Sequence, residues 1–155
     1  MRPSAKVIAI ALAWAAGAAA QPATVHRDFA AAFPAAPVVQ TDGPIVRYVD
    51  DEMNVVFEVD VVTAGPEAAR GGAADQLRLQ AFGRRNDAAM RSSGAASLAG
   101  QPAAEAVFVS GSGAVATART TAHDGRGYVV VYRHAQDQGS DSERDGFLNS
   151  FRFTP

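Results

Sequence analysis

Two alternating runs of residues joined by Asp124-Gly125 constrain the fold of this chain more than any other feature. Residues 114–122 and 127–134 are rich in threonine, valine and tyrosine, side chains that favour a pleated, half-buried strand. An Asp-Gly pair tolerates the positive φ angles of a tight type I′ turn. The segment therefore predicts two antiparallel strands joined by a hairpin.

Five further segments predict strands. Residues 53–62 are the clearest of them, because an apolar face alternates with a face that carries Glu58 and Asp60. The acidic run 50–52 comes just before and suits a hairpin connection to a strand over residues 44–50. The other expected strands are 28–33, 95–98 and 103–110.

Two helices are expected beside these strands. Residues 73–90 consist mainly of good helix formers, although Gly83 costs about 1 kcal/mol inside a helix. Ser140 followed by Glu143 forms a capping box. In this motif the serine side chain accepts a hydrogen bond from the glutamate backbone N–H, and the glutamate side chain accepts one from the serine backbone N–H. This box predicts that a short C-terminal helix begins there.

The first twenty residues have the pattern of a secretory signal peptide. Arg2 and Lys6 precede an apolar run, and small residues end the segment at Ala20. We expect cleavage between Ala20 and Gln21, with an uncleaved membrane anchor as the alternative. Residues 21–155 would then form a single domain, located in the periplasm or secreted, without a membrane span.

Composition excludes several kinds of chemistry. The chain has no cysteine, so it forms no disulfide, thiolate metal site, cysteine nucleophile or cysteine-linked lipid anchor. The single lysine, Lys6, lies in the expected leader, which removes lysine-based Schiff-base chemistry. The net charge of -2 is spread along the chain, whereas a nucleic-acid partner would require a concentrated basic face.

Several sequence features follow one another in a characteristic order. They are Phe33-Pro34, a strand with Tyr48, a turn over residues 100–105, a tyrosine-rich strand and a terminal helix over residues 147–151. In this succession the chain resembles small exported proteins of the PsbP-like superfamily. The resemblance covers residues 29–153. It implies an antiparallel sheet sandwiched by helices, in proteins that are mostly accessory or binding proteins.

The predicted fold is therefore α+β. It consists of a mostly antiparallel sheet of six or seven strands, packed by a long central helix and a short C-terminal helix. We expect the whole of residues 21–155 to form this one domain, which resembles PsbP-like proteins.

Three histidines are candidates for a zinc or copper site, and the acids Asp50-Asp51-Glu52 could offer oxygens to calcium or magnesium. Neutral imidazole is a good ligand for zinc or copper. His26 lies near the expected mature N-terminus, His123 beside the hairpin turn and His134 at the end of the following strand. Only His123 and His134 are expected to approach each other, across the hairpin, and the simpler interpretation is that both are ordinary strand-end residues.

Four other motifs allow a chemical interpretation, and each has a simpler structural one. They are His123-Asp124 with a serine at 92, 93, 97, 110, 112 or 140, the run Gly111-Ser112-Gly113-Ala114-Val115-Ala116, the acids Asp50-Asp51-Glu52, and Arg84-Arg85. Asp124 is explained as a turn former, and the glycine run leads into a strand instead of the helix that would hold a pyrophosphate. Acidic and arginine runs are typical of a solvated surface. Tyr128 and Tyr132 are expected in the core of the sheet.

The expected function is that of an exported, non-enzymatic accessory or binding protein. It would present a sheet face or a groove to another envelope protein or to a component of the cell envelope, and it needs no cofactor. The alternative is a small periplasmic enzyme or metal-binding protein that uses His123 and His134.

Overall fold

A computed structural model describes residues 23–155. The expected signal peptide and the bond between Ala20 and Gln21 lie outside the described residues. The described chain forms ten strands, two helices and one 3-10 turn, in the order β1 Thr24–Val25, β2 Phe29–Ala31, β3 Val38–Asp42, β4 Ile45–Glu52, β5 Val55–Val62, the turn Pro66–Ala68, α1 Gly72–Arg85, β6 Ala88–Leu98, β7 Gln101–Ser110, β8 Val115–His123, β9 Arg126–His134, α2 Asp141–Ser150 and β10 Arg152–Phe153.

Seven of the strands form one antiparallel sheet. Its spatial order is β3-β4-β5-β9-β8-β7-β6, so β3 and β6 are its edges. The remaining three strands form a second antiparallel sheet in the order β1-β2-β10. The two ends of the described chain therefore meet in this second sheet, because β10 pairs with β2.

The central hairpin is confirmed. Asp124 and Gly125 have φ angles of 50° and 74°, and β8 pairs with β9 without a break from His123 beside Arg126 to Val115 beside His134. Positive φ at both turn residues is the type I′ geometry, whose twist matches that of the flanking strands.

The turn before β5 differs from the prediction. Strand β4 continues through the acidic run to Glu52, and Met53 and Asn54, with φ angles of 41° and 66°, form the two-residue turn. Asp50 is buried within the strand, where its carboxylate accepts a hydrogen bond from the Ala35 backbone N–H at 2.7 Å. The charge of Asp50 suggests a position in a solvated turn. The Ala35 N–H instead gives the carboxylate a hydrogen-bond donor inside the fold.

The predicted α+β class with a long central helix packing the sheet is wrong, because the structure is mostly β, with 50% strand and 20% helix. Helix α1 ends at Arg85, and residues predicted to continue it belong to β6, which runs from Ala88 to Leu98. Alanine, arginine and methionine favour a helix locally, but the neighbouring strand β7 offers a full row of backbone partners, and tertiary pairing overrides that weak preference.

The first predicted strand, over residues 28–33, also has a different place. Phe29–Ala31 forms β2 in the second sheet, and the edge of the main sheet is taken by β3, Val38–Asp42, which was not predicted. Strand β2 pairs with β1 and with β10 at the far end of the chain. A pairing over that separation leaves no local pattern in the sequence.

The two faces of the main sheet have separate cores. Helix α1 places Leu79 and Phe82 on one face, here called the helix side. The second sheet and α2 cover the other face, where Phe29, Phe147 and Phe151 pack against the sheet. Burial of apolar surface on both faces is the main stabilising contribution to the fold.

The capping box of α2 is confirmed in its first half and modified in its second. Ser140 Oγ accepts a hydrogen bond from the Glu143 backbone N–H at 3.0 Å. The Ser140 backbone N–H donates to the Tyr132 hydroxyl at 3.1 Å, and that hydroxyl donates to Glu143 Oε1 at 2.6 Å. Burial and the Glu143 hydrogen bond raise the pKa of Tyr132 to about 12, so this tyrosine links the helix start to β9 as a neutral group.

Candidate functional site

A cleft opens on the helix side of the main sheet, where the C-terminal end of α1 meets β7, β8 and β9. Its volume is about 310 Å³, at the lower end of the range of roughly 300–1,000 Å³ for small-molecule sites. Its lining residues are Phe82, Asn86, Ala88, Phe108, Ser110, Ser112, Ala114, Ala116 and Arg133.

The floor of the cleft is apolar. Phe82 lies in the last turn of α1 and Phe108 on the helix-side face of β7, and their ring centroids are 5.1 Å apart with a tilt of 59°. Gly83 allows this approach, since a Cβ there would lie 3.0 Å from the Ala88 carbonyl oxygen and 3.1 Å from the Phe108 ring. The glycine that weakens the helix by propensity thus leaves room for a close contact that a Cβ would crowd.

One wall of the cleft is polar and held by its own hydrogen bonds. It is the loop between β7 and β8, in which the Ser110 N–H donates to the Ala114 carbonyl at 3.0 Å and the Gly113 N–H donates to the Ser110 carbonyl at 3.0 Å. Ser110 Oγ accepts from the Ala114 N–H at 3.2 Å and lies 2.9 Å from Ser112 Oγ. These bonds hold the two hydroxyls in place before any ligand arrives.

The positive charge of the cleft comes from Arg133. This residue ends the helix-side face of β9, two positions beyond Val131, and its Nη1 donates to Asn86 Oδ1 at 3.0 Å. Asn86 is itself fixed, because its Nδ2 donates to the Phe82 carbonyl at 2.9 Å. Arg133 forms no ion pair within residues 23–155, so its charge is available to a ligand.

A shallower groove continues from the cleft along the end of α1. It has a volume of about 640 Å³ and shares Ala88, Phe108 and Ser110 with the cleft. Arg84 and Arg91 line it, together with Asp87. Three arginines and one carboxylate therefore line the two cavities, in a chain whose formal net charge is -2.

A second group of charges is buried on the helix side of β5. Glu58 and Asp60 are 0% and 1% exposed, and Arg47 donates to Glu58 Oε2 from Nε at 3.0 Å and from Nη2 at 2.7 Å. Arg85 Nη2 lies 3.7 Å from Asp60 Oδ2. Burial, and then the charge of Glu58, raise the pKa of Asp60 well above its ordinary value, while Arg47 and Arg85 partly offset that rise.

The structure does not bring His123 and His134 together. His123 pairs with Arg126 at one end of the hairpin, and His134 pairs with Val115 at the other. Eight residue steps of about 3.4 Å, roughly 27 Å in all, separate the two positions. A single metal ion cannot contact both imidazoles, so the geometry does not support the alternative of one site shared by the two histidines.

Each histidine has a structural environment of its own. His123 stacks on Phe153 with centroids 4.0 Å apart, and His134 Nδ1 lies 2.9 Å from the Ala135 carbonyl oxygen. The ring of His26 stacks on Phe29, and burial lowers its pKa. Within residues 23–155, no three His, Cys, Asp or Glu side chains are placed to hold a metal ion.

Apart from the acidic run and Arg84-Arg85, which are described above, the other motifs have the positions that their structural interpretations suggest. The run from Gly111 forms a loop that leads into strand β8 instead of a helix. Asp124 lies in the turn, and Tyr128 and Tyr132 are each 1% exposed. No helix of residues 23–155 is long and apolar enough to cross a membrane.

Sequence reasoning did not identify the residues of the cleft as a group. The sequence places Arg84 in a solvated arginine pair, Ser110 among six candidate serines, and Ser112 both among those serines and in the glycine run. One signal was present, since Arg133 continues the alternation of Val129 and Val131 on a buried face. A cation on the apolar face of a strand marks a place where that face opens to solvent or to a ligand.

Comparisons with known proteins place this chain in no family. No family model matches it, and no curated protein matches it. A crystal structure of a protein from Bacteroides thetaiotaomicron VPI-5482 is similar over 82% of this chain, with 12% sequence identity and a TM-score of 0.47. This chain covers 45% of the length of that protein. The resemblance to the PsbP-like superfamily stays a prediction.

Proposed function

We propose that this protein is an exported, non-enzymatic binding protein and that the cleft at the end of α1 is its ligand site. The observation that supports this function is the combination of the Phe82 and Phe108 floor with polar groups fixed before binding. Apolar sites with a few well-placed polar groups are typical of small-molecule binding sites.

The polar groups of the cleft favour binding over reaction. Arg133 offers N–H donors, and Ser110 and Ser112 form a hydrogen bond with each other. A serine nucleophile requires a base within hydrogen-bond reach, and the two hydroxyls here bond each other and the Ala114 N–H, none of which is a base. The arrangement orients a ligand and supplies no group to take its proton.

Export and an envelope partner remain part of the proposal. Export is supported by the pattern of residues 1–20. A protein partner is supported by the edge strand β3, in which Val38 and Val39 are 63% and 53% exposed. An edge strand presents unpaired backbone groups that can pair with an extended segment of another protein.

Binding of N-phenyl-1-naphthylamine, a neutral apolar dye that fluoresces in apolar sites, tests the cleft. We expect the dye to bind the wild type and to lose binding in Ala88→Leu, because Ala88 lines the cleft and a larger side chain there fills it. The measurement is the rise in dye fluorescence as protein is added.

Ala95→Leu is the matched control. Ala95 lies on the same strand and on the same face as Ala88 but outside the cleft. We expect its dye binding to equal that of the wild type. Equal fluorescence in all three proteins would show that the dye binds elsewhere and would reject the cleft as the ligand site.

A further inference from the structure

We propose that the ligand of this cleft is a small monocarboxylate with an apolar body. This inference rests on the proposed function and adds the chemical class of the ligand. Three features carry it: the unpaired charge of Arg133, the hydroxyl pair that lines the same cleft and the apolar residues of that lining.

Arg133 determines the charge of the ligand. A guanidinium has five N–H donors, and within residues 23–155 only a bond from Nη1 to Asn86 uses them. The bond to Asn86 fixes the plane of the guanidinium while leaving its other edge free. Planar guanidinium and planar carboxylate match in two parallel hydrogen bonds, which makes a carboxylate the preferred partner.

The hydroxyl pair supplies one further donor. In the bond between Ser110 Oγ and Ser112 Oγ, one hydroxyl donates and the other accepts. The accepting hydroxyl keeps its own proton free, whichever of the two it is. A ligand oxygen at the cleft therefore meets a neutral donor in addition to the guanidinium.

The cleft favours a single negative charge over a double one. Arg133 is the one cation among its lining residues, and Arg84 and Arg91 line only the open groove beside it. A phosphate dianion would keep one of its two charges unpaired in this site, and leaving a charge without a partner away from water is costly. A monocarboxylate is neutralised by one guanidinium.

The lining of the cleft determines the size of the apolar part. Phe82 and Phe108, which are 0% and 1% exposed, close the cleft from below, and Ala88, Ala114 and Ala116 line it beside them. The volume of about 310 Å³ limits the body to one or two rings. A bicyclic aromatic acid is therefore a suitable probe.

Isothermal titration with 2-naphthoate and with neutral 2-naphthol at pH 7 tests this assignment. We expect the wild type to bind the carboxylate roughly ten- to a hundred-fold more tightly than the alcohol, since hydrogen bonds to charged groups account for such factors. In Arg133→Gln this preference should disappear while the affinity for 2-naphthol stays unchanged. Arg133→Lys, which keeps the charge and loses the fork, should give an intermediate preference.

Arg152→Gln is the matched control, because Arg152 is exposed on β10 in the second sheet, on the other side of the main sheet. It should behave as the wild type does. Equal affinity of the wild type for both ligands would overturn the carboxylate assignment and leave the binding function intact. If neither ligand nor the neutral dye binds, the proposed function falls as well. Because the wild-type comparison needs no variant, the assignment stays testable even where Arg133→Gln does not fold.

Discussion

Buried charged side chains are the residues whose protonation matters most for this fold. Glu58 and Asp60 lie two positions apart on the same face of β5, and both are almost fully buried. Glu58 Oε1 and both carboxylate oxygens of Asp60 have no hydrogen-bond partner in the described part of the chain. Two adjacent carboxylates in such a place favour one proton between them.

We expect stability to fall as the pH rises through the raised pKa of Asp60. The folded protein keeps a proton on Asp60 that the unfolded chain releases at lower pH, so the stabilisation is complete below the ordinary aspartate pKa and is lost above the raised one. The slope is at most about 1.4 kcal/mol per pH unit for one proton. Urea unfolding of the wild type and of Asp60→Asn between pH 4 and pH 9 measures it.

Asp60→Asn should remove this fall, because an amide stays neutral at every pH. Asp42→Asn, at an exposed position of β3, is the control and should keep the wild-type profile. Parallel stability curves for the wild type and Asp60→Asn would contradict the expectation and would place the titrating group elsewhere.

Gly127 lies so close to neighbouring residues that there is no room for a side chain at this position. Above it lies Arg78, which is 0% exposed and donates to the Glu67 carbonyl at 2.7 Å, the Ala69 carbonyl at 2.8 Å and Thr120 Oγ1 at 2.5 Å. Arg78 also pairs with Asp75. This arginine fastens the loop before α1 onto the main sheet.

Gly127→Ala should destabilise the protein by about 2 kcal/mol, in the range of other overpacked sites. A Cβ on Gly127 would lie 2.3 Å from the Glu67 carbonyl oxygen and 2.8 Å from Arg78 Cδ, so the loop would have to move. Gly94→Ala is the control, since a Cβ on Gly94 meets nothing within 4 Å. Urea midpoints of the two variants test the difference, and equal midpoints would show that the loop gives way freely.

At the scale of elements, the two edge strands of the main sheet differ in how well they are protected against pairing with another chain. Strand β3 is exposed at all five positions and carries Val38 and Val39. Exposed apolar edge strands are sites of association with another chain, and proteins usually protect them with charge, proline or a bulge. Strand β6, the opposite edge, has such an irregularity between Met90 and Ser92.

We expect the double variant Val38→Thr/Val39→Thr to self-associate less than the wild type when the protein is concentrated. Threonine keeps the β-branched shape and removes apolar surface, so the stability should change by no more than about 0.5 kcal/mol. Light scattering against protein concentration measures the effect. Val25→Thr, which alters a valine that is 66% exposed on β1, is the control, and an equal decrease there would show that β3 has no special role.

At the scale of the whole molecule, the chain ends close the fold. Strand β10 pairs with β2, and Ser150 Oγ accepts a hydrogen bond from the Ala32 N–H at 2.8 Å, across 118 positions of sequence. The second sheet and α2 therefore cover one face of the main sheet only when both ends of the described chain are in place. Contacts of such separation form late in folding, because the loop they close is long.

Sequence alone determined the features whose causes are local. The hairpin at Asp124-Gly125 follows from turn chemistry, the strand through Glu58 and Asp60 from a period of two, and the start of α2 from the Ser140 cap. In each case the residues that specify the element lie within a few positions of it.

Only the tertiary structure decided the rest. Residues after Arg85 become strand β6 because β7 is there to pair with them, and residues 29–31 join a second sheet because β10 arrives from the far end of the chain. The cleft assembles Phe82 and Asn86 of the helix end with Ser110 and Arg133 of separate strand ends. Backbone pairing and packing between distant segments outweigh local preferences of a few tenths of a kcal/mol per residue. Contacts between distant segments cannot be predicted from a pattern within a short stretch of sequence.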